Sequence, residues 1–453
     1  MSTTLEVLRW LDRWILSLFF RRFTVDGGDR VQPNRPQVLV ANHFSALVDA
    51  MLLFAAFPAI PRFLAKSTLW RNPLLRPLLQ GARVIPVYRR QDEGVDTSKN
   101  AQTFSRCHEV LRDGGTIALF PEGTSHSEPG LLPLKTGAAR IVLEAEERFG
   151  PLGLQVIPVG LIFDDKGKFR SRVLVRVGEA INPQAVARGH DDPKAAVRAL
   201  TNEIRDRLEE VTPNFESWDQ AHRIARAVEI FQRSDPDLPN RPELHHTFDA
   251  HRAFLAGYRR LAEHYPERVA AVEEAVVGYQ DLLDAAALRD RQVAARYALP
   301  SLTRHLLARL LRMAIRLPVA LIGSVLNALP YAAVSLLARF FRKPDQQATY
   351  KIFPAMLIYP FCWLAQAFAV GHDLGFGLGL WPGLATLALA PLTGPTALRF
   401  HDDRRQLLAE AKAYVKLGTR RELAAELRKR RAKVRQQVAG AVELYRAFSE
   451  VEA

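Results

Sequence analysis

Five short apolar runs alternate with helix-length segments between residues 36 and 180 of this chain. The runs are rich in β-branched residues and read PQVLVAN, ARVIPVY, GTIALF, LQVIPVGLIF and RVLVRVG. Amphipathic segments of helical length separate them, at residues 45–57, 97–113 and 135–149. Strands that alternate with helices predict an α/β domain with a mostly parallel sheet flanked by helices. Ligands of such sheets usually bind at the loops beyond the carboxyl ends of the strands.

The composition excludes a disordered chain and favours an anionic partner. The 453 residues are 48% hydrophobic and 24% charged, which is enough apolar material for more than one core. The formal net charge of +14 suits a polyanionic surface, either nucleic acid or anionic lipid. We expect lipid and no nucleic acid, because no zinc-ligand spacing, helix-turn-helix pattern or aromatic RNA-binding motif is present. The two cysteines, Cys107 and Cys362, are expected to be free thiols.

Three long runs without charge lie in the C-terminal half of the chain. They are residues 317–338, 352–371 and 374–398. An uncharged run of about 20 residues can cross a bilayer as a helix. Lys351 and Arg399 flank the second and third runs, so we expect a helical hairpin whose two open ends face the cytoplasm. Asn327 and Pro330 interrupt the first run, which favours a re-entrant or in-plane element.

The chain is therefore predicted to have five parts. The first contains an aromatic-rich helix with basic flanks, typical of a membrane interface, although an ordinary helix packed on the next domain is the alternative. The last carries the string RKRRAKVR, which fits a solvated helix or an attraction to anionic headgroups. The predicted parts are an amphipathic membrane-interface helix (1–29), an α/β domain (30–215), a helical insertion (216–303), membrane-embedded helices (304–400) and a basic helical tail (401–453). The polar, proline-rich stretch 233–243 is expected to be a linker.

Polar side chains follow two of the apolar runs directly. The stretch ANHFSALVD places Asn42 and His43 immediately after a strand, and Asp49 six positions beyond His43. The stretch ALFPEGTSHS places Glu122 and Gly123 in a turn after another strand. Because these strands are predicted to be parallel, the two loops should share one edge of the sheet.

Two cationic residues belong to the same predicted edge. Arg89 ends the strand GARVIPVY, and Lys135 opens the helix that follows the Glu-Gly turn. Each has a purely structural alternative, a solvated arginine or an ordinary helix start. Together, however, these loops bring His, Asp, Arg, Glu and Lys to one side of the sheet, which a structural account does not require.

These blocks resemble the four motifs of the glycerophospholipid acyltransferase family, which includes lysophosphatidate and glycerol-phosphate acyltransferases. The matching residues are Asn42, His43 and Asp49, then Arg89, then Phe120, Pro121, Glu122 and Gly123, and finally Pro158 in VIPVGL. The resemblance covers about residues 30–185. Five residues separate His43 from Asp49, whereas the commonest family pattern has four; a subset similar to fungal glycerol-phosphate acyltransferases has the longer spacing and a C-terminal membrane region.

The resemblance implies that His43 is the general base of an acyl transfer and that Asp49 fixes its tautomer. Six steps along one helix would place the two side chains on different faces. We therefore expect His43 on the turn before the helix, Ser45 as the N-cap and Asp49 reaching back from the first turn.

The same resemblance implies roles for the remaining matched residues. Arg89 and Lys135 are expected to hold the acceptor phosphate, and Glu122 to hydrogen-bond the acceptor glycerol. The Gly123 amide is a candidate oxyanion donor, and Asn42 is a candidate substrate-binding residue.

The implied reaction moves a fatty acyl chain from acyl-CoA or acyl carrier protein, as co-substrate, to sn-glycerol-3-phosphate or its 1-acyl form, and needs no cofactor or metal. It places the protein in a membrane with the active site towards the cytoplasm; its oligomeric state stays open. Two alternatives remain: a lipid hydrolase or transacylase that uses the same His–Asp pair, and a non-catalytic membrane scaffold. No G-x-S-x-G, Walker A or H-E-x-x-H motif is present.

Overall fold

The chain folds into two compact units, which are described separately. The computed structural model describes residues 3–73, 75–89, 92, 94–233, 243–294, 299–341, 343–373 and 380–452. The sheet unit comprises Met1–Glu216 and Phe341–Ile352, and the helical unit comprises Ser217–Phe340 and Phe353–Ala453. The expected linker at 233–243 lies almost wholly outside the described residues.

The sheet unit is built on one seven-stranded sheet with the order β1-β7-β6-β2-β5-β3-β4. The strands are β1 (Arg22–Asp26), β2 (Gln37–Ala41), β3 (Arg62–Lys66), β4 (Ile85–Val87), β5 (Thr116–Leu119), β6 (Gln155–Phe163) and β7 (Arg172–Val177). Strands β2 to β6 run parallel, while β7 pairs antiparallel with β6 and parallel with β1. The predicted mostly parallel sheet is confirmed.

Seven helices belong to the described part of the sheet unit. They are α1 (Thr3–Phe19), α2 (Leu47–Ala56), α3 (Arg76–Gly81), α4 (Asn100–Arg112), α5 (Gly137–Phe149), α6 (Pro183–Ala187) and α7 (Pro193–Val211). The apolar faces of α4, α5 and α7 and the central strands share one buried core, which includes Val38, Leu111, Ile117, Val142 and Leu200. Cys107 lies in this core as a free thiol, and Cys362 is also free, as predicted.

The N-terminal segment packs on the sheet unit, and a membrane-interface role for its exposed face stays a prediction. Leu16, Phe19 and Phe20 are buried, and the guanidinium of Arg13 donates to the carbonyl oxygen of Ala55 at 2.9 Å. Helix α1 thus packs one face on the sheet unit, which was the alternative interpretation, while Trp10 remains 67% exposed. Residues of the same predicted part form β1, because an edge strand is held by backbone pairing and needs little apolar sequence.

The helical unit has eight helices among its described residues. They are α8 (Trp218–Gln232), α9 (Leu244–His264), α10 (Pro266–Ala285), α11 (Asp290–Ala294), α12 (Leu299–Ala338), α13 (Gln347–Asp373, whose first turns belong to the sheet unit), α14 (Trp381–Thr419) and α15 (Arg421–Glu452). Helix α15 is not a separate basic tail, because its Leu427, Val434 and Val438 are buried in one core with α8 and α10. Its basic residues also contact the interior of this unit, since the Arg431 guanidinium pairs with the buried Asp290 carboxylate at 2.8 Å.

Two described helices are long and apolar enough to cross a membrane, at Leu307–Ala338 and Gln347–His372. Leucines and phenylalanines on their outer faces are exposed, as expected for helices that contact lipid. Membrane association follows from these two helices. The first is one continuous helix through Pro318 and Pro330 rather than a re-entrant element.

The third uncharged run follows a different course from the prediction. Its first residues, 374–379, lie outside the described residues, and the remainder is the first half of α14. Helix α14 continues without a break across the boundary predicted at residue 400 and runs antiparallel along α12. Arg316 pairs with Asp403 at 3.0 Å, and the Asn327 side chain donates to the Ala390 carbonyl at 3.0 Å. Cross-helix partners of this kind keep a helix regular where its sequence turns from apolar to charged.

The link between α12 and α13 was predicted inside the membrane-embedded part but belongs to the sheet unit. Asp345 in this link accepts a hydrogen bond from the Ser125 hydroxyl at 2.8 Å. The Lys351 ammonium donates to the Gly167 carbonyl, and Phe341 stacks on Tyr350. The first two contacts join residues more than 180 positions apart, so local sequence patterns could not indicate them.

Candidate active site

The turn after β2 brings an imidazole and a carboxylate together at the carboxyl edge of the sheet. His43 Nδ1 lies 2.9 Å from Asp49 Oδ2, and the same oxygen accepts the Ser45 backbone N–H at 2.7 Å. Asp49 is fully buried, whereas the His43 side chain is 18% exposed. The expected contact between positions 43 and 49 is therefore present despite the extra residue between them.

Ala46 is the residue that accommodates the longer spacing. It caps α2 with φ 48° and ψ −123°, a conformation that L-residues rarely adopt. Ser45 was predicted as the N-cap, but it supplies its backbone N–H to Asp49 while the helix begins at Leu47. The tight turn at Ala46 rotates the first turn of α2 so that Asp49 points back at His43.

The hydrogen bonds fix which tautomer the neutral His43 imidazole adopts. Because the Asp49 oxygen already accepts a backbone N–H, it acts as an acceptor towards Nδ1, which must carry the proton. Nε2 then holds a lone pair, and within the described residues it has no hydrogen-bond partner. The ring stacks on Phe120, with the centroids 4.1 Å apart and the planes 9° apart, which further fixes its orientation. This is the arrangement that a general base requires.

Glu122 occupies a position different from the one predicted. It is 2% exposed, and its Oε1 accepts the His43 backbone N–H at 2.7 Å. Its Oε2 accepts the Leu132 backbone N–H at 2.8 Å and pairs with His126 Nε2. The carboxylate is thus buried and held by three hydrogen bonds from the protein, and the expected hydrogen bond to an acceptor glycerol stays a prediction. Glu122 ties the His43 turn to the loop after β5.

His126 is buried in the same network. Its Nδ1 accepts the Glu128 backbone N–H at 3.1 Å, so the proton resides on Nε2 and is donated to Glu122. Its own backbone N–H donates to the His43 carbonyl at 3.1 Å. The spacing of Glu122 and His126 was the only sequence signal for this pair.

Asn42 also differs from its predicted role in substrate binding. Its side chain is fully buried and exchanges two hydrogen bonds with the backbone of Leu161, at 3.0 and 2.7 Å. It therefore joins the end of β2 to β6, and no polar atom of the amide is directed at a substrate.

Arg89 reaches the site but is partly neutralised. Its guanidinium makes a bidentate pair with Asp92, at 3.0 and 2.8 Å, and donates to the Gly123 carbonyl at 2.9 Å. Hydrogen bonding to Arg89 holds the pKa of Asp92 below its usual value. Two guanidinium protons remain for a ligand, so phosphate binding stays a prediction for this residue.

Gly123 and Lys135 lie against each other beside the His43 turn. Gly123 has φ 73°, and its amide donates to the Phe120 carbonyl at 3.0 Å, so it is not available as the predicted oxyanion donor. The left-handed φ favours glycine there, and a Cβ at Gly123 would lie 2.5 Å from Nζ of the flexible Lys135 side chain. The exposed Lys135 ammonium is thereby placed next to the turn that holds Glu122.

Lys166, in the loop after β6, is a functional candidate that sequence reasoning missed. Its ammonium donates to the His126 carbonyl and the Ser127 hydroxyl, both at 2.9 Å, and lies 5.6 Å from the Phe44 ring centroid. Burial lowers the pKa of Lys166, and the nearby carboxylate of Asp49 partly offsets that effect. The surrounding letters DDKGKF read only as a turn, so no sequence signal could have found it.

The described residues contain no cluster of three or more histidine, cysteine, aspartate or glutamate side chains that could hold a metal ion.

Two family models match the chain in succession. The model described as Acyltransferase matches residues 22–162, which contain the whole His43 site, and the model described as Glycerol-3-phosphate acyltransferase 2 C-terminal domain matches residues 235–446. The first covers β1 to β6, and the second covers most of the helical unit.

Several named acyltransferases are similar in sequence to part of this chain. Glycerol-3-phosphate O-acyltransferase 2 of Saccharomyces cerevisiae is 31% identical over 196 residues, which are 43% of this chain and 26% of the yeast protein. The 1-acyl-sn-glycerol-3-phosphate acyltransferase alpha of Homo sapiens is 29% identical over 150 residues, which are 33% of this chain and 50% of the human protein. The chain thus spans about a quarter of the length of the yeast relative.

Among solved structures, the 1-acyl-sn-glycerophosphate acyltransferase of Thermotoga maritima is 21% identical, with a TM-score of 0.34, over 46% of this chain and 79% of that one. Two consecutive family models and four ordered motifs agree, and the chain is similar to glycerophospholipid acyltransferases over residues 22–162 and to the C-terminal domain of glycerol-3-phosphate acyltransferase 2 over residues 235–446.

Proposed function

We propose that this protein transfers a fatty acyl chain from an acyl thioester to the hydroxyl of sn-glycerol-3-phosphate or of its 1-acyl form. The observation that carries the proposal is the His43–Asp49 pair, with a partly exposed, unpartnered Nε2 at the carboxyl edge of the sheet. The names of the relatives support a glycerol-phosphate acceptor, and the two apolar helices support a substrate that resides in lipid.

The chemistry needs one base and no covalent enzyme intermediate, because a thioester is already activated. His43 Nε2 takes the proton of the acceptor hydroxyl while its oxygen attacks the thioester carbonyl. A carbon–oxygen bond forms, the carbon–sulfur bond breaks, and the imidazolium returns the proton to the departing thiolate. Asp49 stabilises the imidazolium, as the aspartate of a serine-protease triad does, with the substrate hydroxyl in place of serine.

Three cations near His43 are available for the acceptor phosphate. Lys135 is exposed beside Gly123. Among the described residues, the half-buried Lys166 ammonium donates only to uncharged oxygens, and Arg89 keeps two guanidinium protons without a partner. An ammonium that is not engaged by a carboxylate is the better phosphate partner, because no existing ion pair must be broken. We therefore assign the phosphate first to Lys135 and Lys166.

We further propose that the site works at the cytoplasmic face of a membrane. Lys351 and Arg399 flank the second and third uncharged runs, and positive residues are retained on the cytoplasmic side. Such a position gives the catalytic edge access to a soluble thioester and to a lipid acceptor.

The test supplies membranes that contain the full chain with a labelled acyl thioester and each acceptor in turn. His43→Ala should lower kcat about 10²–10⁴-fold, the usual contribution of a general base. Asp49→Asn should lower it to a similar extent, because its amide can turn an N–H towards Nδ1 and favour the wrong tautomer. His190→Ala, an exposed histidine of the same unit, is the matched control and should act as native.

The same assay separates the alternatives. Thioester loss without any acceptor would indicate a hydrolase, and product formed from a second phospholipid as donor would indicate a transacylase. No turnover with either acceptor would favour the third alternative, a non-catalytic membrane scaffold. Equal acyl transfer by His43→Ala and native protein would refute the general-base role.

A further inference from the structure

The segment Phe341–Ile352, which joins α12 to α13, packs within the sheet unit. We call this segment the membrane link, because the helices on either side of it are the two that are able to cross a membrane. Its Ala348 and Ile352 are buried, so the segment is more than an exposed connection. Three of its polar side chains reach two loops of the sheet unit, and both loops contact the His43 turn or its neighbours.

The first of these side chains is Asp345. Its Oδ2 accepts a hydrogen bond from the Ser125 hydroxyl at 2.8 Å. A hydrogen bond to a carboxylate is charge-assisted and about twice as strong as one between neutral groups. Ser125 lies in the loop after β5, directly before His126. Asp345 therefore holds this loop one residue away from the network that supports the candidate base.

The two residues that follow Ser125 connect the loop to the rest of the site. The His126 backbone N–H donates to the His43 carbonyl at 3.1 Å. The His126 carbonyl and the Ser127 hydroxyl both accept from the Lys166 ammonium at 2.9 Å. Three consecutive residues thus join the membrane link to the His43 turn and to Lys166, and a displacement of the first would move the supports of both.

The membrane link also holds the loop that carries Lys166. The Lys351 ammonium donates to the carbonyl of Gly167, the residue directly after Lys166. A Cβ at Gly167 would lie 2.6 Å from Gln347 Oε1, so the link passes close to this backbone. Lys166 is therefore held through Ser127 and His126 on one side and through Gly167 on the other.

The charge of Asp345 acts on Lys166 as well. Burial lowers the pKa of Lys166, and the carboxylates of Asp49, Asp345 and Glu128 partly offset that effect. A half-buried ammonium needs carboxylates nearby to keep its proton, and only the protonated form attracts a phosphate. A carboxylate at position 345 would itself repel a phosphate, so Asp345 acts through its neighbours and not as a ligand.

We infer that Asp345 is a positioning residue for the acyl transfer, which holds Ser125 and thereby orients His43 and Lys166. The inference rests on the proposed function and adds a residue that lies outside the four motifs. Ser125 lies in the region that the first family model matches, and Asp345 lies in the region that the second matches. The contact gives the second region a part in catalysis besides attachment to a membrane.

The experiment uses the full chain in lipid nanodiscs and the variants Asp345→Ala, Ser125→Ala and their combination. Ser125→Ala removes the same hydrogen bond with the smaller change in side chain, which guards against a misfolded Asp345 variant. Ser125→Thr keeps a hydroxyl, and Asp191→Ala removes an exposed carboxylate of the same unit as the matched control. The measurements are kcat, KM for acceptor and thioester separately, thermal unfolding, and hydrogen exchange of residues 122–128.

Each single variant should lower kcat about tenfold and raise KM for the acceptor about tenfold, the size expected for one lost hydrogen bond to a charged group. KM for the thioester should keep its native value, because the contacts of Asp345 lead to His43 and Lys166. The double variant should match Asp345→Ala, since both substitutions remove one shared interaction. Residues 122–128 should exchange faster in all three, while Ser125→Thr and Asp191→Ala should behave as the native protein.

Three results would overturn the inference: native kinetics in both single variants, additive losses in the double variant, or an equal rise in KM for acceptor and thioester. A merely structural role for Asp345 would lower the unfolding temperature and the active fraction with both KM values unchanged. If the native protein transfers no acyl group to either acceptor, the proposed function fails and the positioning role fails with it. If the native protein is active and the single variants match it, the positioning role alone fails.

Discussion

Glu122→Gln separates the role that the structure gives to Glu122 from the role that the sequence suggested. The carboxylate accepts the His43 N–H on one oxygen, and the Leu132 N–H and His126 Nε2 on the other. A glutamine has one acceptor oxygen, so in either orientation its NH2 group faces at least one backbone N–H. One charge-assisted hydrogen bond is worth about 1.5–3 kcal/mol, and a stranded buried donor adds about 1 kcal/mol or more. We expect a loss of roughly 2–4 kcal/mol in the free energy of unfolding.

The assay combines thermal unfolding with hydrogen exchange. The His43 amide should lose protection, kcat should fall because the imidazole is no longer held, and KM for the acceptor should change little. Glu128→Gln is the control, because it removes a carboxylate from an exposed position of the same loop. A Glu122→Gln protein as stable as the native one, with KM for the acceptor raised and kcat retained, would refute the reasoning and restore Glu122 as an acceptor ligand.

Two further perturbations test the turn at Ala46 and the carboxyl group of Asp12. The backbone conformation of Ala46 costs about 1–3 kcal/mol, so the Ala46→Gly protein should be as stable as the native protein or more stable. Ala46→Val should lower the free energy of unfolding by about 2 kcal/mol and lower kcat. Equal unfolding temperatures for the proteins with Gly, Ala and Val at this position would contradict the turn geometry. Burial raises the pKa of Asp12 to about 8, so folding favours its protonated form, and the associated stability is present below pH 4 and is lost as the pH rises through about 8. Asp12→Asn should therefore stabilise the protein at pH 8–9 but not at pH 4, and parallel pH profiles of thermal unfolding for the two proteins would contradict this.

Local patterns were sufficient for the elements whose sequence carries its own periodicity. The central strands β2, β5, β6 and β7 are continuous apolar runs, and α4 and α5 show the helical spacing of their buried faces. Strands β1 and β3 escaped prediction because RFTVD and RFLAK are short, begin with arginine and end with a charge. Their strand conformation depends on backbone pairing with β7 and β5, which is not visible in their own residues.

The candidate site divides in the same way. The sequence identified His43, Asp49, Glu122 and Lys135 as neighbours of one edge, because residues that follow parallel strands must meet there. The sequence could not show which groups form hydrogen bonds with these side chains. Asn42 and Glu122 were expected to face substrate, yet each is buried by hydrogen bonds to segments between 10 and about 120 residues away.

The alternation of strands and helices, the loops that meet at the catalytic edge and the charge-free runs long enough to cross a membrane were determined by the sequence alone, because hydrophobic periodicity and charge-free length act within a short window of residues. The tertiary structure alone decided that Ala46 turns Asp49 back to His43, that Glu122 is a support for the base, and that α15 joins a helical core instead of forming a tail. The physical reason is that each of these features depends on which distant groups compete for the same hydrogen bonds and the same buried surface, and that competition is settled only when the whole chain has packed.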